Sequence, residues 1–364
     1  VEPHVRFNTP VKRATFDPSG CWLLELENGQ RLSFQYLISA TGNLFEPKWP
    51  ETHCLEEFGG VSWHSARWNH DYDLAGKAVA VIGSGASSAQ VSPYAASKAS
   101  KLYAIRRTAY WVMPRKNKPY TRWQRWRFRW LPFAATRYRK LLVDRSQVSL
   151  QAFLGDKDMI DVLTRVGLRH MHKHIKDPKM RAALTPSYPP GCKRTLVSDD
   201  LYPALARDNV ELVCESAHTL TQRGLVTSSG REIEVDAIIY CTGYHLPSQD
   251  LGAPVVGRKG RTVGQTLIER PGSFRGIAFP GFPNYFMVNG PNGALGHTSL
   301  TIASEINAEY IARLISEAAR RGVRTIEPKM EATDEFNRSI QAELKNSTWA
   351  YDCNGFYSDE SGRV

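Results

Sequence analysis

The stretch KAVAVIGSGASSAQ, residues 77–90, decides the fold of this 364-residue chain. The apolar run Ala78–Ile82 predicts a buried strand, and a turn containing Gly83 and Gly85 leads from it into a predicted helix. In such a turn the first glycine permits the tight bend, the second lets a pyrophosphate approach the backbone, and a small third residue packs helix on strand. Phosphate then binds the helix N-terminus, where unpaired N–H groups attract anions. We therefore predict a dinucleotide-binding turn formed by Gly83, Ser84, Gly85 and Ser88.

The next predicted strand, residues 102–105, ends in Arg106-Arg107-Thr108. An NAD site would place Asp or Glu there for the ribose 2′-hydroxyl, whereas guanidinium groups suit the 2′-phosphate of NADP. The alternative is a solvated pair of surface arginines. The pattern favours NADP, with Arg106, Arg107 and Thr108 as cofactor-binding residues.

Two segments of similar design, Tyr36–Gly42 and Asp236–Gly243, each carry a buried strand that follows a charged hairpin and ends in Thr-Gly. Such a repeat indicates two related dinucleotide-type units in an α/β fold. Thr41 and Gly42 are therefore also predicted to bind a cofactor.

The segment FGGVSWHSARWN, residues 58–69, lies just before the glycine turn. It resembles the fingerprint F-x-G-x-x-x-H-x-x-x-W of the Baeyer–Villiger monooxygenases, which continues with Pro or Asp where this chain has Asn69. In that family the motif lies on the linker between the flavin and NADP domains, and its part is conformational. The simpler interpretation is packing at a domain junction. The matching residues are Phe58, Gly60, His64 and Trp68.

Two further stretches resemble the same family. LTPSYPPGCKR, residues 184–194, is similar to its segment ending G-C-K-R, which places the family's active-site arginine at Arg194 and an NADP-contacting lysine at Lys193. The alternative for this pair is an ordinary basic pair in a phosphate-binding cleft. GPNGALGHTS, residues 290–299, is similar to a turn beside the flavin, which implies flavin contact by Asn292.

The resemblance runs through nearly the whole chain and implies two Rossmann-like dinucleotide-binding domains with a helical insertion. Neither the family's first flavin-binding turn nor its full C-terminal C-x-S-W-Y segment is found, so we expect a chain truncated at both ends and an incomplete FAD domain. The expected parts are a remnant of the FAD domain (1–50), a linker (51–76), an inserted NADP domain (77–245) with its helical insertion (about 114–180), and the rest of the FAD domain (246–364).

An NADPH-dependent flavoprotein monooxygenase with FAD and NADP as cofactors is the function that the resemblance implies. NADPH would reduce FAD, and a C4a-peroxyflavin would insert one atom of O2 next to a ketone carbonyl, giving an ester or lactone. Arg194 is the expected catalytic residue, because an arginine stays charged and can stabilise a peroxide or oxyanion. The expected partners are a small ketone and O2, without nucleic acid.

Two other functions stay open at the level of sequence. A heteroatom-oxidising flavin monooxygenase would use the same cofactors on amines or sulfides. Trp68 argues against it, because the motif of that sister family ends in a different aromatic residue, while Asn69 keeps the question open. An inactive NADP-binding fragment is the second alternative, motivated by the absent flavin turn.

The chain has a formal net charge of +11, and much of the excess lies between Arg106 and Arg145. Within this region Tyr120–Arg139 interleaves aromatic and basic residues. A helical insertion facing the substrate or a subunit partner is favoured over contact with a membrane surface, and a stacking surface for single-stranded nucleic acid is less favoured still.

Six scattered cysteines without a C-x-x-C pair predict reduced thiols and a cytoplasmic location. No apolar run reaches the ~18 residues that span a bilayer, and no signal peptide opens the chain. His170, His172 and His174 fall on a predicted helix, where residues two apart point away from each other. No metal site is therefore predicted.

Overall fold

The computed structural model describes residues 2–42, 44–245, 253–293, 296, 299–351, 353 and 357. The strands are β1 Val11–Phe16, β2 Trp22–Leu26, β3 Arg31–Phe34, β4 Leu37–Ser39, β5 Val61–His64, β6 Ala78–Ile82, β7 Lys101–Ile105, β8 Val112–Met113, β9 Leu196–Val197, β10 Val210–Val213, β11 Ala217–Thr221, β12 Gly224–Thr227, β13 Glu232–Glu234, β14 Ala237–Tyr240, β15 Val255–Val256 and β16 Tyr285–Met287. The helices are α1 Ala86–Lys98, α2 Arg122–Trp130, α3 Pro132–Phe153, α4 Lys157–His174, α5 Pro178–Leu184, α6 Leu201–Leu205, α7 Val263–Glu269, α8 Leu300–Arg320 and α9 Met330–Leu344.

Two compact units divide the chain. The first combines Val1–Phe45 with Leu246–Glu343, and the second combines Glu46–His245 with Leu344–Val364. The central sheet of the second unit is parallel, with strand order β10-β7-β6-β14-β5. Its strands β6, β7 and β14 are those predicted from the sequence, and the predicted α/β class is confirmed.

Strand β6 explains why the sequence at this point is apolar without alternation. Val79 and Val81 pack on one side against residues of α1 and α6. Ala80 and Ile82 pack on the other side, against the small antiparallel sheet β11-β12-β13. Because successive side chains of a strand point to opposite faces, a strand covered on both faces must be apolar at every position.

In the first unit, β1, β2 and β3 form a sheet together with β15, in the order β15-β1-β2-β3. Trp22 is fully buried in its core, and its indole N–H donates to the carbonyl of Pro283 at 2.9 Å. Strand β4 pairs in parallel with β16. Helix α8 begins directly after its N-cap residue Ser299.

The predicted helical insertion contains α2, α3 and α4. Helix α4 carries the three histidines of the R-H-M-H-K-H segment, as expected for a helical and not an extended segment. Among the helices of the described residues, none combines the length and the apolar character that crossing a membrane requires.

Candidate functional site

The glycine turn between β6 and α1 is shaped by a close approach of two backbones. Gly83 has φ +135, and a Cβ placed on it would lie 2.2 Å from the carbonyl oxygen of Cys241. Both the conformation and the contact therefore require glycine. Gly85 is different, since its φ is −78 and a Cβ there would meet nothing within 4 Å. Its absent side chain leaves open space above the turn.

Helix α1 begins at this turn without a side-chain cap. Gly85 is its N-cap residue and makes no side-chain hydrogen bond to the first turn, so the first N–H groups of the helix stay available. Ser88 is buried, with its hydroxyl 3.3 Å from that of Ser92. Ser88 therefore packs inside the fold, which matches the small-residue role predicted for it and not direct contact with a phosphate.

A cavity of about 530 Å³ opens at the carboxyl ends of β6, β7 and β14. Open parallel sheets bind their ligands at this edge. Predicted residues from three separate parts of the sequence meet in its wall, namely Gly83, Ser84, Gly85, Arg107, Thr108 and Lys193.

The two neighbouring arginines after β7 have different environments. Arg106 is only 4% exposed, and its Nη2 donates to the main-chain carbonyl of Ser84 at 2.9 Å. Its Nε and Nη1 are buried without a hydrogen-bond partner among the described residues, and burial lowers the pKa of the guanidinium. Arg107 is exposed and lines the cavity. Arg106 thus supports the turn, while Arg107 is available to a ligand.

Lys193 lies between two tyrosine rings. Its Nζ is 5.7 Å from the centre of the Tyr110 ring and 5.5 Å from that of Tyr188. The Tyr188 hydroxyl donates to the carbonyl of Ala109 at 2.6 Å, which fixes this ring. Burial lowers the pKa of Lys193, and the positive charge of Arg107 lowers it further. Two cations in one cavity form a site suited to phosphate.

Arg194 follows directly in the sequence but lines another cavity, of about 370 Å³, together with Arg115 and Asp199. Asp199 is held there, since its carboxylate accepts a hydrogen bond from the backbone N–H of Arg115 at 2.8 Å. The Arg194 side chain is exposed. The predicted catalytic and NADP-contacting residues therefore face different cavities.

A disulfide joins Cys192, in the loop that carries Lys193 and Arg194, to Cys353. Trp349 supports this connection by stacking on Phe153, with ring centres 5.9 Å apart. The prediction of reduced thiols is wrong for this pair. The two cysteines are 161 positions apart, and only the fold brings their Cα atoms to 6.4 Å, so no sequence spacing reveals them.

Gly60 of the fingerprint motif is explained by packing. A Cβ there would lie 2.5 Å from the ring of Phe58 and 2.6 Å from the carbonyl oxygen of Asp236. Because Gly60 has no side chain, the chain can pass close to these atoms as it enters β5. Strand β5 pairs with β14 beside the glycine turn. Phe58 itself packs against the core that lies between the two sheets of the second unit.

His64 and Trp68 lie in aromatic clusters. His64 is fully buried, its Nδ1 accepts a hydrogen bond from the backbone N–H of Ala66 at 3.1 Å, and burial lowers its pKa. Trp68 packs edge-on against Trp63, with ring centres 5.6 Å apart. Neither side chain is in the wall of the 530 Å³ cavity, and the conformational part expected for the motif stays a prediction.

The remaining predicted residues belong to the first unit. Gly42 has φ +75, and the Thr41 hydroxyl lies 3.5 Å from that of Ser39. Asn292 has φ +61, and its side-chain amide donates to Asn337 at 2.7 Å. His297 of the same predicted turn lies outside the described residues.

Several residues of the cavity wall were not predicted, including Trp49, Tyr110, Thr242 and Gly243. The last two have a signal in the sequence, since they repeat the Thr-Gly ending of Thr41 and Gly42. Trp49 has none, because its place beside His64, at 5.9 Å between ring centres, depends on the fold.

Comparison with known proteins agrees with this architecture. A family model described as flavin-binding monooxygenase-like matches residues 4–263. The Baeyer–Villiger monooxygenase of Streptomyces coelicolor is 38% identical over 100% of this chain and 70% of its own length. A crystal structure of OTEMO in complex with FAD and NADP superimposes with a TM-score of 0.86 at 25% identity, over 100% of this chain and 77% of that one.

A further solved structure, ε-caprolactone-bound cyclohexanone monooxygenase, superimposes with a TM-score of 0.84 at 25% identity, over 96% of this chain and 75% of that one. The family model covers more than half of the chain, and the Streptomyces relative is matched over its greater part. The chain therefore belongs to the flavin-binding monooxygenase-like family and, within it, to the Baeyer–Villiger monooxygenases.

Proposed function

We propose that this protein uses NADPH and FAD to insert one atom of O2 next to the carbonyl group of a small ketone, forming an ester or lactone. The observation that carries the proposal is the convergence of the glycine turn, Arg107 and Lys193 on one cavity in a chain of this family. Its relatives of known structure include one in complex with FAD and NADP and one bound to a lactone.

The residues present fit NADP. The open space above Gly85 and the uncapped start of α1 leave room and N–H donors for the pyrophosphate. Arg107 and Thr108 lie where the 2′-phosphate of the ribose is bound in this fold. The buried Arg106, whose Nε and Nη1 have no hydrogen-bond partner in the part of the chain that the structure describes, adds positive charge next to the turn.

Lys193 would hold a second anionic group of the dinucleotide. Its ammonium group is half-buried between Tyr110 and Tyr188, so its attraction to a phosphate is screened less than at an open surface. The Tyr110 ring also lines the cavity beside Lys193.

Bound flavin, once reduced by NADPH, supplies the chemistry that activates O2. We assign to Arg194 the stabilisation of the negative charge that develops on the carbonyl oxygen of the ketone. Its guanidinium donates hydrogen bonds in a fixed plane and stays protonated during the reaction. Asp199 lines the same cavity but is engaged by backbone N–H groups, which leaves the Arg194 donors available to a substrate.

The domain assignment follows from the same residues. We assign NADP binding to the second unit, which carries the Gly83 turn, and flavin binding to the first unit, where Gly42 and Asn292 have positive φ. The ketone and O2 are the proposed small-molecule partners. Neither cavity includes the segment 120–139, so a contact of that segment with a membrane is not part of this proposal.

Oxygen labelling tests the proposal directly. The protein is mixed with FAD, freed of excess flavin, and given NADPH, cyclohexanone and ¹⁸O2, and the product is analysed by mass spectrometry. We expect a lactone that carries one labelled oxygen and consumption of one NADPH per lactone. A matched reaction with a sulfide in place of the ketone identifies heteroatom oxidation.

Labelled sulfoxide without labelled lactone, across a panel of cyclic and linear ketones, would contradict ketone oxygenation. Absence of a retained flavin spectrum, with NADPH still bound, would contradict the flavin-dependent function while leaving the Gly83 site in place.

A further inference from the structure

Helix α2 presents a row of exposed tryptophans. Trp123, Trp126 and Trp130 are 64%, 50% and 62% exposed, and Phe133 at the start of α3 is 68% exposed. Spacings of three and four residues place the three indoles on one side of the helix. Large aromatic side chains grouped on the surface mark a contact with a partner, because their burial is strongly favourable.

Contacts on the opposite side of α2 hold the helix in this orientation. Phe128 faces the opposite way and packs edge-on against Tyr120, with ring centres 5.3 Å apart, and lies 5.4 Å from Tyr138 of α3. A capping box at Thr121 and Gln124 fixes the start of the helix. Helix α2 therefore cannot rotate to bury its tryptophans without losing the Phe128 contacts.

The part of the sequence that contains α2 is strongly basic. Between Leu74 and Val143 the sequence contains fifteen Lys and Arg residues and no Asp or Glu. Four arginines belong to α2 itself, at positions 122, 125, 127 and 129, and the guanidinium of Arg129 lies 5.6 Å from the Trp130 ring centre. Exposed indoles are thus bordered by cations on the same short helix.

We propose that this aromatic–basic surface, formed by α2 and the first turns of α3, docks peripherally on a bilayer containing anionic lipids. The indoles and Phe133 would enter the boundary between headgroups and acyl chains, where tryptophan is favoured. The arginines would contact lipid phosphates, because the negative potential of an anionic membrane surface attracts Lys and Arg side chains. The nine-residue helix would lie in the plane of the membrane surface.

Charge and shape favour a lipid surface over a second copy of the chain or a single-stranded nucleic acid as the partner of this surface. A second copy of the chain would present the same excess of arginines, and like charges would repel. Single-stranded nucleic acid needs ring faces open for stacking, whereas Trp123 and Trp126 pack edge-on against each other at 4.9 Å. Leu141 and Leu142 of α3 are also exposed, and a bilayer shields such aliphatic side chains from water.

Vesicle flotation tests this proposal without any measurement of enzymatic activity. The protein is mixed with vesicles of phosphatidylcholine alone or of phosphatidylcholine with phosphatidylglycerol, at low and high salt. We expect flotation with the anionic vesicles at low salt, and its loss at high salt. The double variant Trp123→Ala/Trp126→Ala should weaken binding by at least about tenfold.

A charge-matched pair of variants separates a local surface from overall charge. Arg125→Gln/Arg129→Gln removes two cations from α2, and Arg223→Gln/Arg313→Gln removes two exposed cations elsewhere. Only the first should weaken binding. Circular dichroism and melting temperature, expected to match the parent protein for each variant, show that the fold is intact.

Three results would overturn the proposal: equal flotation with neutral vesicles, equal loss of binding in both charge variants, or no flotation of the parent protein. Preferential binding of a single-stranded oligonucleotide that depends on Trp123 and Trp126 would assign the surface to nucleic acid instead. Self-association that is lost in the tryptophan variant, measured by analytical ultracentrifugation, would assign it to a second copy.

Discussion

The ammonium group of Lys193 lies 5.5 Å from the centre of the Tyr188 ring, inside the cavity that also contains Arg107. Burial, with Arg107 as the second cause, lowers the pKa of Lys193. A bound phosphate is attracted by the charged form of Lys193. The affinity for NADP is therefore highest at pH values below the lowered pKa, and it decreases as the pH rises through that pKa.

We therefore expect the dissociation constant of NADP to increase with rising pH, beginning below the range in which an ordinary lysine titrates. Calorimetric titrations at a series of pH values, from neutral up to the range of an ordinary lysine, measure it. Lys193→Arg should remove the increase, because arginine does not titrate there. An equally steep increase in the arginine variant would assign the pH dependence to another group.

Gly83→Ala and Gly85→Ala form a matched pair in one turn. At Gly83 the positive φ and the contact with the Cys241 carbonyl both oppose a side chain, so we expect a loss of about 3 kcal/mol or more of folding free energy. At Gly85 the backbone accepts alanine, and the new methyl group would occupy the space of the phosphates. Thermal unfolding should show a lower melting temperature for Gly83→Ala than for the parent protein. Titration with NADP should show weaker binding by Gly85→Ala. Equal melting temperatures for the two alanine variants would contradict this assignment.

Arg107→Ala tests the preference for NADPH over NADH. Loss of a charge-assisted contact to the 2′-phosphate should raise KM for NADPH by roughly 10- to 100-fold. KM for NADH should not change, because NADH lacks that phosphate. Steady-state kinetics with both cofactors measures the ratio, with the exposed Lys77→Ala as control. A parallel rise for NADH would show that Arg107 acts on the fold or on another part of the dinucleotide.

Arg194→Met should separate the two halves of the reaction. Since Arg194 faces the 370 Å³ cavity and not the one around Gly83, reduction of flavin by NADPH should continue nearly unchanged. Ester formation should fall by about 10²- to 10³-fold, as for removal of other donors to a developing oxyanion. Stopped-flow absorbance and product analysis measure the two rates. The rate of ester formation by Arg194→Lys, which keeps the charge, should lie between the rates of the parent protein and Arg194→Met. Equal losses in flavin reduction and in ester formation would contradict the assignment.

Local patterns were sufficient to predict the strand, turn and helix around Gly83. The apolar run Ala78–Ile82 predicts a buried strand, and two glycines directly between a strand and a helix predict a dinucleotide-binding turn. The structure places the fingerprint residues around His64 in and beside β5 of the second unit, where they pack against neighbours close in sequence or on adjacent strands, and their part in the reaction stays a prediction.

Predictions that depended on side-chain direction were less complete. Arg106 and Arg107 looked equivalent, yet the chain buries the first under Ser84 and leaves the second in the cavity. Lys193 and Arg194 are adjacent but face different cavities. Which of two neighbours points inward depends on strand register and loop conformation, which tertiary packing sets and local sequence does not.

The Cys192–Cys353 bond also adds a covalent link between two distant positions of the polypeptide. It closes a covalent ring that contains every residue between those positions, including the whole later portion of the first unit, Leu246–Glu343. A protease that cuts once inside this ring opens it but releases no fragment. Such a nicked molecule would migrate as a single species on a denaturing gel without reductant and as two after reduction.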